Sequence, residues 1–374
     1  MIKVVICGGH LAPALAVIEK LLKKGNHLIY YIGRKNPLEG DSAKSLEYNT
    51  LSKLNISFRF IITGRLQRSL SLLTLPSLFK FPIGLMQSLY YLSKLRPNVI
   101  VSFGGYVALP VCICAWILRI PIITHEQTHV LGMANKIISK IGKVLCLSFK
   151  DTENVPSGVK TVITGNPIRE SIYTNKDKTL ISFGNEKLPL IYITGGSLGS
   201  QTINAIVAKI IPTLCIRFRI LHQSGNARGR EDFIKLSHLK DTLDPIYKNN
   251  YRVIEQVEPS SVGTILKNSL LVVGRAGANT VYEILTMGVP TILIPLPWAG
   301  QNEQEKNAKL VKSIGLGELI LESELTPSLL LSTIEAMQKN INIYQKAKQK
   351  AKEIIKVDAA DELVRLIDKY AGFV

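Results

Sequence analysis

Apolar runs that each end in a glycine-containing turn recur along this chain. A short apolar run bounded by turn residues predicts a buried strand, and apolar residues at helical spacing after the turn predict a helix. The order of strand, glycine turn and helix occurs at residues 2–18, 99–106, 190–207 and 269–287. Four such units predict an α/β protein with two doubly wound domains that face each other across a cleft.

The turn at residues 274–283 has the most informative chemistry. In open α/β sheets, ligands bind outside the carboxyl ends of the strands, and the free amides and dipole of a helix start attract a diphosphate. Glu283 follows about one turn later, where its carboxylate can accept hydrogen bonds from a ribose diol. Taken alone, an ordinary turn with a surface glutamate explains this segment equally well. The similar turn at residues 195–200 favours a nucleotide site.

Length and composition indicate two globular domains. A chain of 374 residues exceeds what one compact core usually holds. We predict a first domain at residues 1–164, completed by a C-terminal helix at about 357–374, and a second domain at residues 165–356. The turn at residues 164–169 would link them.

The charge balance predicts an anionic partner. The chain has 46 Lys and Arg against 28 Asp and Glu, a net charge of +18. Nucleic acid is the weakest candidate, since zinc-finger spacing, the ribonucleoprotein aromatic signature and lysine-arginine blocks are missing from the sequence. Five scattered cysteines, without histidines at metal-ligand spacing, favour a reduced compartment and no structural metal. The opening strand pattern does not resemble a secretion signal.

Two segments bear on contact with a membrane. Residues 97–118 carry no charge, but Pro110 and the glycine turn at 104–106 favour strand, turn and helix over a membrane span. Residues 64–85 mix large apolar side chains with cations, which suits docking on anionic headgroups. Pro76 and Pro82 predict that this stretch is an irregular, partly exposed loop. The alternative is a core helix that follows a loop.

Eight short motifs then occur in a recognisable order. They are Gly8-Gly9-His10 with residues 13–16, and residues 104–106, 125–127, 165–169, 195–199, 222–225, 275–283 and 304–308. Each motif alone is weak, but together they resemble the MurG family of peptidoglycan glycosyltransferases. The resemblance extends from residue 2 to about residue 310. It implies the GT-B fold, which agrees with the two doubly wound domains.

The resemblance also implies an activity. It is the transfer, with inversion, of N-acetylglucosamine from UDP-N-acetylglucosamine to undecaprenyl-pyrophosphoryl-N-acetylmuramoyl-pentapeptide, which converts lipid I to lipid II. No cofactor or metal is expected. The implied partners are UDP-N-acetylglucosamine, undecaprenyl-linked lipid I and the anionic inner membrane surface, and not nucleic acid. The implied location is the cytoplasmic face of the cell membrane, as a peripheral protein.

The resemblance assigns expected roles to individual residues. The donor would be bound by Thr128, Arg169, Gly196, Ser197, Leu198, Val257, Ala278, Asn279, Thr280, Glu283 and Gln304. The acceptor would be bound by Gly8, Gly9, His10, Tyr106, His125 and Glu126. The membrane would be contacted by Leu72, Leu75, Phe79, Lys80 and Phe81. Ser197 and its amides would hold the diphosphate, Val257 the uracil through its backbone, Glu283 the ribose and Gln304 the sugar.

The chemistry of the transfer supports some of these roles independently. The attacking hydroxyl needs a base, and His10 is of a suitable type near neutral pH. Glu126 is the second candidate for the catalytic base. Helix N-termini and Arg169 can stabilise the leaving diphosphate. The alternative for His10 is a helix-start residue that bonds backbone, and for His125 and Glu126 a polar pair at a strand end.

Some positions depart from the family pattern. The first glycine loop is shortened, and Thr128 stands where asparagine is usual, offering one hydroxyl instead of an amide. Ala276 replaces a frequent serine. Glu303 places a carboxylate beside Gln304, where a neutral residue or histidine is common.

Three other functions fit parts of the pattern. A glycosyltransferase acting on another lipid, such as diacylglycerol, would keep the donor motifs, but the His125-Glu126 pair argues against it. A UDP-sugar epimerase would have no role for the apolar, basic segment. A non-catalytic nucleotide-sugar binder would need no base, so His10 argues against it.

Overall fold

The computed structural model describes residues 1–34, 46–64, 74–173, 178–226 and 230–372. The chain divides into two compact units. Unit 1 comprises Met1–Arg169 together with the chain from Lys356 onward, and unit 2 comprises Glu170–Ile355. The division falls after Arg169, so the linker at residues 164–169 belongs to unit 1.

The strands of both units are parallel. Those of unit 1 are β1 Ile2–Cys7, β2 His27–Gly33, β3 Ser57–Phe60, β4 Val99–Ser102, β5 Ile122–Glu126, β6 Val144–Leu147 and β7 Thr161–Ile163. Those of unit 2 are β8 Leu190–Thr194, β9 Arg219–Gln223, β10 Tyr251–Ile254, β11 Ser269–Gly274, β12 Thr291–Leu293 and β13 Gly317–Leu319. All four strand-like runs that precede glycine turns in the sequence are therefore confirmed.

Helices connect the strands. Unit 1 begins with α1 Leu11–Lys24, α2 Leu46–Lys53, α3 Thr74–Leu95, α4 Ala108–Ile117 and α5 Met133–Ile141. Unit 2 contains α6 Gln201–Leu214, α7 Glu231–Thr242, α8 Pro245–Lys248, α9 Val262–Asn268, α10 Ala278–Met287, α11 Glu303–Ile314, α12 Pro327–Lys339, α13 Ile341–Lys346 and α14 Lys348–Ile354. The last helix, α15 Ala359–Tyr370, returns to unit 1.

Each sheet reverses its strand order at one point. The order in unit 1 is β3-β2-β1-β4-β5-β6-β7, and in unit 2 it is β10-β9-β8-β11-β12-β13. The order therefore reverses between β1 and β4 in unit 1 and between β8 and β11 in unit 2. Cys7 pairs with Ser102 at the first reversal, and Thr194 pairs with Gly274 at the second. Crevices at such reversals are where open α/β sheets bind ligands.

The last helix completes the core of unit 1. Leu363, Val364 and Ile367 of α15 belong to the same buried cluster as the apolar face of α1. Lys20 of α1 forms an ion pair of 2.9 Å with Asp361. This stripe of apolar residues on α15 buries hydrophobic area that the sheet and α1 would otherwise expose.

The structure corrects the prediction for residues 64–85. From Thr74 onward they form the start of α3, with Pro82 inside the helix, and not an irregular loop. Pro76 lies in the first turn, where its missing N–H has no helical acceptor. Packing against α4 outweighs the hydrogen bond that Pro82 removes, because Phe81 and other apolar side chains of α3 contact a buried cluster.

The uncharged segment at residues 97–118 forms β4, a turn and α4, as predicted. Among the described residues, no helix has both the length and the apolar character needed to cross a membrane.

Candidate active site

The first pair of glycine turns meets at the strand reversal of unit 1. The turn after β1 and the turn after β4 are joined by a hydrogen bond of 3.1 Å from the Gly9 amide to the Gly104 carbonyl. Gly8 has a φ of +135°, and a Cβ there would lie 2.9 Å from the Gly104 carbonyl oxygen. Since backbone atoms would have to move, this close approach requires glycine.

His10 stands at the N-cap of α1, beside these turns. Its Nδ1 lies 2.6 Å from the carbonyl oxygen of Phe103. A carbonyl can only accept, so Nδ1 donates and carries the proton in the neutral ring. Nε2 then holds the lone pair. The ring is thus oriented as a general base would need to be, by a backbone acceptor on the neighbouring turn.

His125 is buried at the carboxyl end of β5. Its Nε2 lies 3.0 Å from the Gly165 carbonyl oxygen and donates to it. Burial lowers the pKa of His125 to about 4, although the bond to Gly165 opposes this shift. The ring is therefore neutral near pH 7 and ties β5 to the segment that ends unit 1.

The Glu126 carboxylate is surrounded by donors. Oε1 accepts hydrogen bonds from the Thr128 amide at 3.1 Å and the Thr128 hydroxyl at 2.8 Å. Oε2 accepts from the Gly132 amide and from Asn135 Nδ2, both at 2.9 Å. These donors satisfy both carboxylate oxygens and hold the loop that follows β5. A proton-accepting role for Glu126 would require this arrangement to open.

Asn135 connects that loop to the glycine turn after β4. Its side chain contacts Gly104 so closely that a Cβ on Gly104 would lie 2.8 Å from Nδ2. Its Oδ1 accepts a hydrogen bond of 2.8 Å from the Thr124 hydroxyl. Glu126, Asn135 and the turn are therefore one packed assembly, with the carboxylate at its centre.

The second pair of glycine turns lies at the strand reversal of unit 2. Gly196 and Gly199 have φ angles of +86° and +85°, which favour glycine. Ser200 caps α6 by accepting a hydrogen bond from the Ile203 amide. Ser197 and Leu198 are exposed at the tip of the turn, with Leu198 72% exposed. Amides at the start of α6 are thus presented next to an open turn, as a diphosphate site requires.

Arg275 links the two turns of unit 2. Its Nη2 donates to the Ser200 hydroxyl at 2.7 Å, and its Nη1 lies 3.1 Å from the Ile294 carbonyl and 3.2 Å from that of Pro295. The guanidinium also forms an ion pair with Glu322, whose side chain is 12% exposed. The arginine therefore joins the turn after β8 to the segment that follows β12.

The helix α10 begins at the second turn. Its N-cap is Gly277, and Ala278, Asn279 and Thr280 form the first helical turn. Glu283 is half-buried one turn further along. Burial, with a smaller contribution from the charge of Glu283, raises the pKa of Tyr192 on β8. The carboxylate therefore lies within electrostatic range of Tyr192.

A buried relay supports the turn after β8. His222 Nε2 lies 3.0 Å from Asn204 Oδ1, and His222 Nδ1 lies 3.0 Å from the Tyr251 hydroxyl. The Asn204 Nδ2 donates to the Ser224 carbonyl at 2.9 Å. Burial lowers the pKa of His222 to about 3. The neutral ring therefore donates from Nε2 and accepts from Tyr251, and the relay holds the Ser224 backbone against Gly199.

Within the described ranges, no group of three His, Cys, Asp or Glu side chains is placed to hold a metal ion.

Comparisons with known proteins identify the family of this chain. The model of the glycosyltransferase family 28 N-terminal domain matches residues 5–145, and that of the family 28 C-terminal domain matches residues 190–363. The UDP-N-acetylglucosamine--N-acetylmuramyl-(pentapeptide) pyrophosphoryl-undecaprenol N-acetylglucosamine transferase of Treponema denticola is 33% identical, over 92% of this chain and 90% of the relative. The protein of the same name from Clostridium tetani is 31% identical, over 98% of each chain.

A solved structure agrees with these matches. MurG of Acinetobacter baumannii has a TM-score of 0.72 and 25% identity, covering 99% of this chain and 100% of the other. The chain belongs to the MurG family. A UDP-N-acetylglucosamine 2-epimerase from Neisseria meningitidis, with a TM-score of 0.64 and 14% identity, shares the fold alone. The MurG fold observed here is GT-B, with two Rossmann-like parallel-sheet domains.

Most donor residues expected from the MurG resemblance lie around one crevice of unit 2. Gly196, Ser197 and Leu198 follow β8, and Ala278, Asn279, Thr280 and Glu283 lie on α10 after β11. Gln304 lies on α11, and its Oε1 accepts a hydrogen bond of 3.0 Å from the Leu296 amide. Val257 follows β10, and its neighbour Gln256 donates to the Ser197 carbonyl at 3.1 Å, which joins that loop to the turn.

Two residues expected to bind the donor lie in unit 1. Thr128 is buried, and its hydroxyl, which donates to Glu126 Oε1, also lies 2.8 Å from the Val130 carbonyl oxygen. Arg169 is buried at the end of the unit. Their roles in this MurG family member stay predictions.

The membrane residues expected for a MurG protein are only partly described. Leu72 lies outside the described residues, and so do the side chains of Leu75 and Phe79. Lys80 and Phe81 lie on α3, both half-buried, and Phe81 packs toward a core cluster.

Sequence reasoning missed residues that work through partners distant in the chain. Arg34 at the end of β2 donates from Nη1 to the Tyr106 hydroxyl at 2.9 Å. Asn307 Nδ2 donates to the Ala276 carbonyl at 3.0 Å and supports the turn before α10. Asn135 and Arg275 act similarly. Asn307 lies on the same buried stripe of the mainly polar helix α11 as Val311 and Ile314, and a polar side chain at an apolar-stripe position was the available signal.

Proposed function

We propose that the protein transfers N-acetylglucosamine from UDP-N-acetylglucosamine to the muramoyl sugar of undecaprenyl-pyrophosphoryl-N-acetylmuramoyl-pentapeptide. The product is lipid II, the precursor of cell-wall peptidoglycan. One observation carries this proposal: relatives that are more than 30% identical, over at least nine tenths of each chain, have names that state this transfer. The paired glycine turns supply the two anion sites that a UDP-sugar and a lipid diphosphate need.

The donor would be bound in the crevice of unit 2. The amides at the start of α6, around Ser197, would hold one phosphate, and the start of α10 at Ala278 the other. Glu283 would accept hydrogen bonds from the ribose hydroxyls, and Gln304 would contact the sugar. The backbone of Val257 would meet the uracil. The support for these roles is that Ser197 follows β8, while Ala278 and Glu283 lie on the helix that follows the neighbouring strand β11.

The transfer would use His10 as its base. The acceptor hydroxyl gives its proton to Nε2 of His10 while its oxygen bonds to the anomeric carbon, and the bond from that carbon to UDP breaks. The leaving diphosphate takes up negative charge, which helix amides and Arg169 would stabilise. Gly8, Gly9 and Tyr106 would bind the acceptor, with His125 and Glu126 holding the surrounding loops.

Contact with the anionic inner membrane surface would involve a patch on α3 and α4. The exposed side chains are Ile83, Met86 and Tyr90 on α3 and Trp116 and Ile117 on α4, each at least 45% exposed. These two helices pack on each other. Large exposed apolar patches mark interaction sites. Lys94 Nζ lies 5.9 Å from the centre of the Tyr90 ring, and a cation at this position favours anionic headgroups. The patch supports peripheral attachment, and the proposed activity would place the protein at the cytoplasmic face of the membrane.

The transfer is tested with labelled UDP-N-acetylglucosamine and a short-chain lipid I analogue. His10→Ala should lower kcat by about a hundredfold or more, since it removes the base. Glu283→Ala should raise the KM for the donor. Glu335→Ala is the control, because Glu335 is exposed on α12 and paired with Arg217. Absence of transfer by the wild type, with donor binding retained, would point to another lipid acceptor.

The membrane contact is tested by flotation with anionic vesicles. Met86→Ser with Tyr90→Ser should weaken binding, since both lose exposed apolar area. Ile246→Ser is the matched control, because Ile246 is 75% exposed in unit 2. Equal binding by all three proteins would contradict the proposed patch.

A further inference from the structure

Arg34 and Tyr106 span the strand reversal of unit 1. Arg34 directly follows β2, and Tyr106 lies in the turn after β4. In the sheet, β1 lies between β2 and β4. Neighbouring strands are about 4.8 Å apart, so β2 and β4 are separated by about 10 Å. The bond of 2.9 Å from Arg34 Nη1 to the Tyr106 hydroxyl must therefore cross the carboxyl end of β1.

The segment that this pair crosses is the glycine turn at Gly8 and Gly9. The pairing of β1 with β2 ends at Cys7 and Ile32, and both chains continue to the same edge of the sheet. The Tyr31 hydroxyl donates to the Gly8 carbonyl at 2.9 Å, which anchors the turn to β2. The Arg34 cation therefore lies at the edge of the sheet where the amides of this turn lead into α1.

Packing fixes the position of the guanidinium. The ring of Tyr106 packs against a buried cluster of unit 1. The Arg34 Cζ lies 5.9 Å from the centre of that ring, within range of a cation–π interaction. Both side chains are only half-buried. An arginine that is oriented in this way presents a planar fork whose geometry matches phosphate oxygens.

We propose that Arg34 binds the diphosphate of the lipid acceptor, and that Tyr106 orients Arg34 for this contact. The inference rests on the proposed function, which supplies the acceptor. A helix start and glycine amides provide partial charges, whereas Arg34 provides a full positive charge at the same edge of the sheet. Arg34 would therefore distinguish a lipid diphosphate from a neutral lipid glycoside.

The test compares three variants in the transfer assay, with kcat and KM measured for both substrates. Arg34→Gln should raise the KM for the short-chain lipid I analogue by about tenfold to a hundredfold, the range for a hydrogen bond to a charged group. Arg34→Lys should have a smaller effect, because it keeps the charge and loses the fork. Tyr106→Phe should raise the same KM by several-fold. The KM for UDP-N-acetylglucosamine should stay within about twofold.

Arg96→Gln is the matched control. It removes one positive charge from unit 1 at an exposed position just before β4. This position is at the amino end of the strand, whereas the glycine turns follow the carboxyl ends. A monophosphate analogue identifies the group that Arg34 contacts, because the difference between wild type and Arg34→Gln should shrink with it. If the difference instead shrinks with an analogue that lacks the peptide carboxylates, Arg34 binds the peptide and the proposal is wrong.

The outcomes separate this inference from the proposed function. Transfer by the wild type, with equal acceptor KM values for Arg34→Gln and Arg96→Gln, would overturn the role of Arg34 and leave the function standing. Absence of transfer by the wild type would overturn the function itself. Equal melting temperatures of wild type, Arg34→Lys and Arg34→Gln would show that a change in KM does not come from unfolding.

Discussion

Replacing Gly199 by alanine tests how tightly the glycine turn after β8 is packed. Gly199 has a φ of +85°, and a Cβ at this position would lie 2.0 Å from the Ser224 carbonyl oxygen and 3.0 Å from the Gly225 Cα. Gly196 has a φ of +86°, but a Cβ there would meet no atom of the described chain within 4 Å. The two glycines therefore share a backbone conformation and differ in steric room.

The expected loss of stability follows from this difference. An alanine in the left-handed region costs about 1–2 kcal/mol, which applies to both positions. Overpacking against fixed atoms costs about 1–3 kcal/mol more, which applies only to Gly199. For a domain of this size, each kcal/mol lowers the melting temperature by about 2–4 °C. We expect decreases of about 2–8 °C for Gly196→Ala and about 4–20 °C for Gly199→Ala.

Calorimetry of the purified variants measures the effect, and donor binding provides a second readout. The Gly199 turn must move by about 1.4 Å to bring this contact from 2.0 Å to the ordinary 3.4 Å, and a displacement of about 1 Å can already cost about a hundredfold in activity. Isothermal titration with UDP-N-acetylglucosamine should show weaker binding by Gly199→Ala. Equal melting temperatures for the two variants would refute the close contact between the turns.

Three further predictions concern buried polar groups. Burial holds the pKa of His125 and His222 below 6.5, so the free energy of unfolding should fall by about 1.4 kcal/mol per pH unit for each as pH decreases below 6.5. In urea titrations at several pH values, the free energy of unfolding of His222→Gln should fall less steeply with decreasing pH than that of the wild type, by about 1.4 kcal/mol per pH unit. An unchanged slope would contradict this. Arg275→Leu should lower the free energy of unfolding by about 3–5 kcal/mol, because it leaves Glu322 without its ion pair, and adding Glu322→Leu should restore part of this loss. Equal losses in the single and the double variant would argue against the ion pair. Glu126→Gln should cost about 1–3 kcal/mol, since an amide N–H would face donors, and an unchanged melting temperature would exclude this network.

The strands and turns could be predicted because they depend on local sequence. Strands buried on both faces appear as continuous apolar runs, and β4 and β8 are buried at every position. Positive φ angles at Gly8, Gly104 and Gly196 explain why glycines recur after such runs. These features already indicated two doubly wound domains, and the anion sites at the glycine turns stay predictions.

The arrangement of the site depended on contacts that the sequence does not display. Arg34 and Tyr106 are 72 positions apart, and they meet only because the sheet places β1 between their strands. Glu126 suggested a base by its residue type, but the donors of Thr128 and Asn135 give it a structural environment. The local effect of Pro82 suggested a loop, and packing of α3 on α4 outweighed it.

The return of α15 to unit 1 has a consequence for synthesis of the chain. The ribosome completes all of unit 2 before it makes residues 359–370, yet Leu363 and Ile367 belong to the core that α1 begins. Unit 2 can therefore close while unit 1 still exposes apolar surface on the nascent chain, against the usual order in which the N-terminal domain folds first. Until α15 emerges, that surface is a target for chaperones, and truncation before residue 359 should damage the domain at the far end of the sequence.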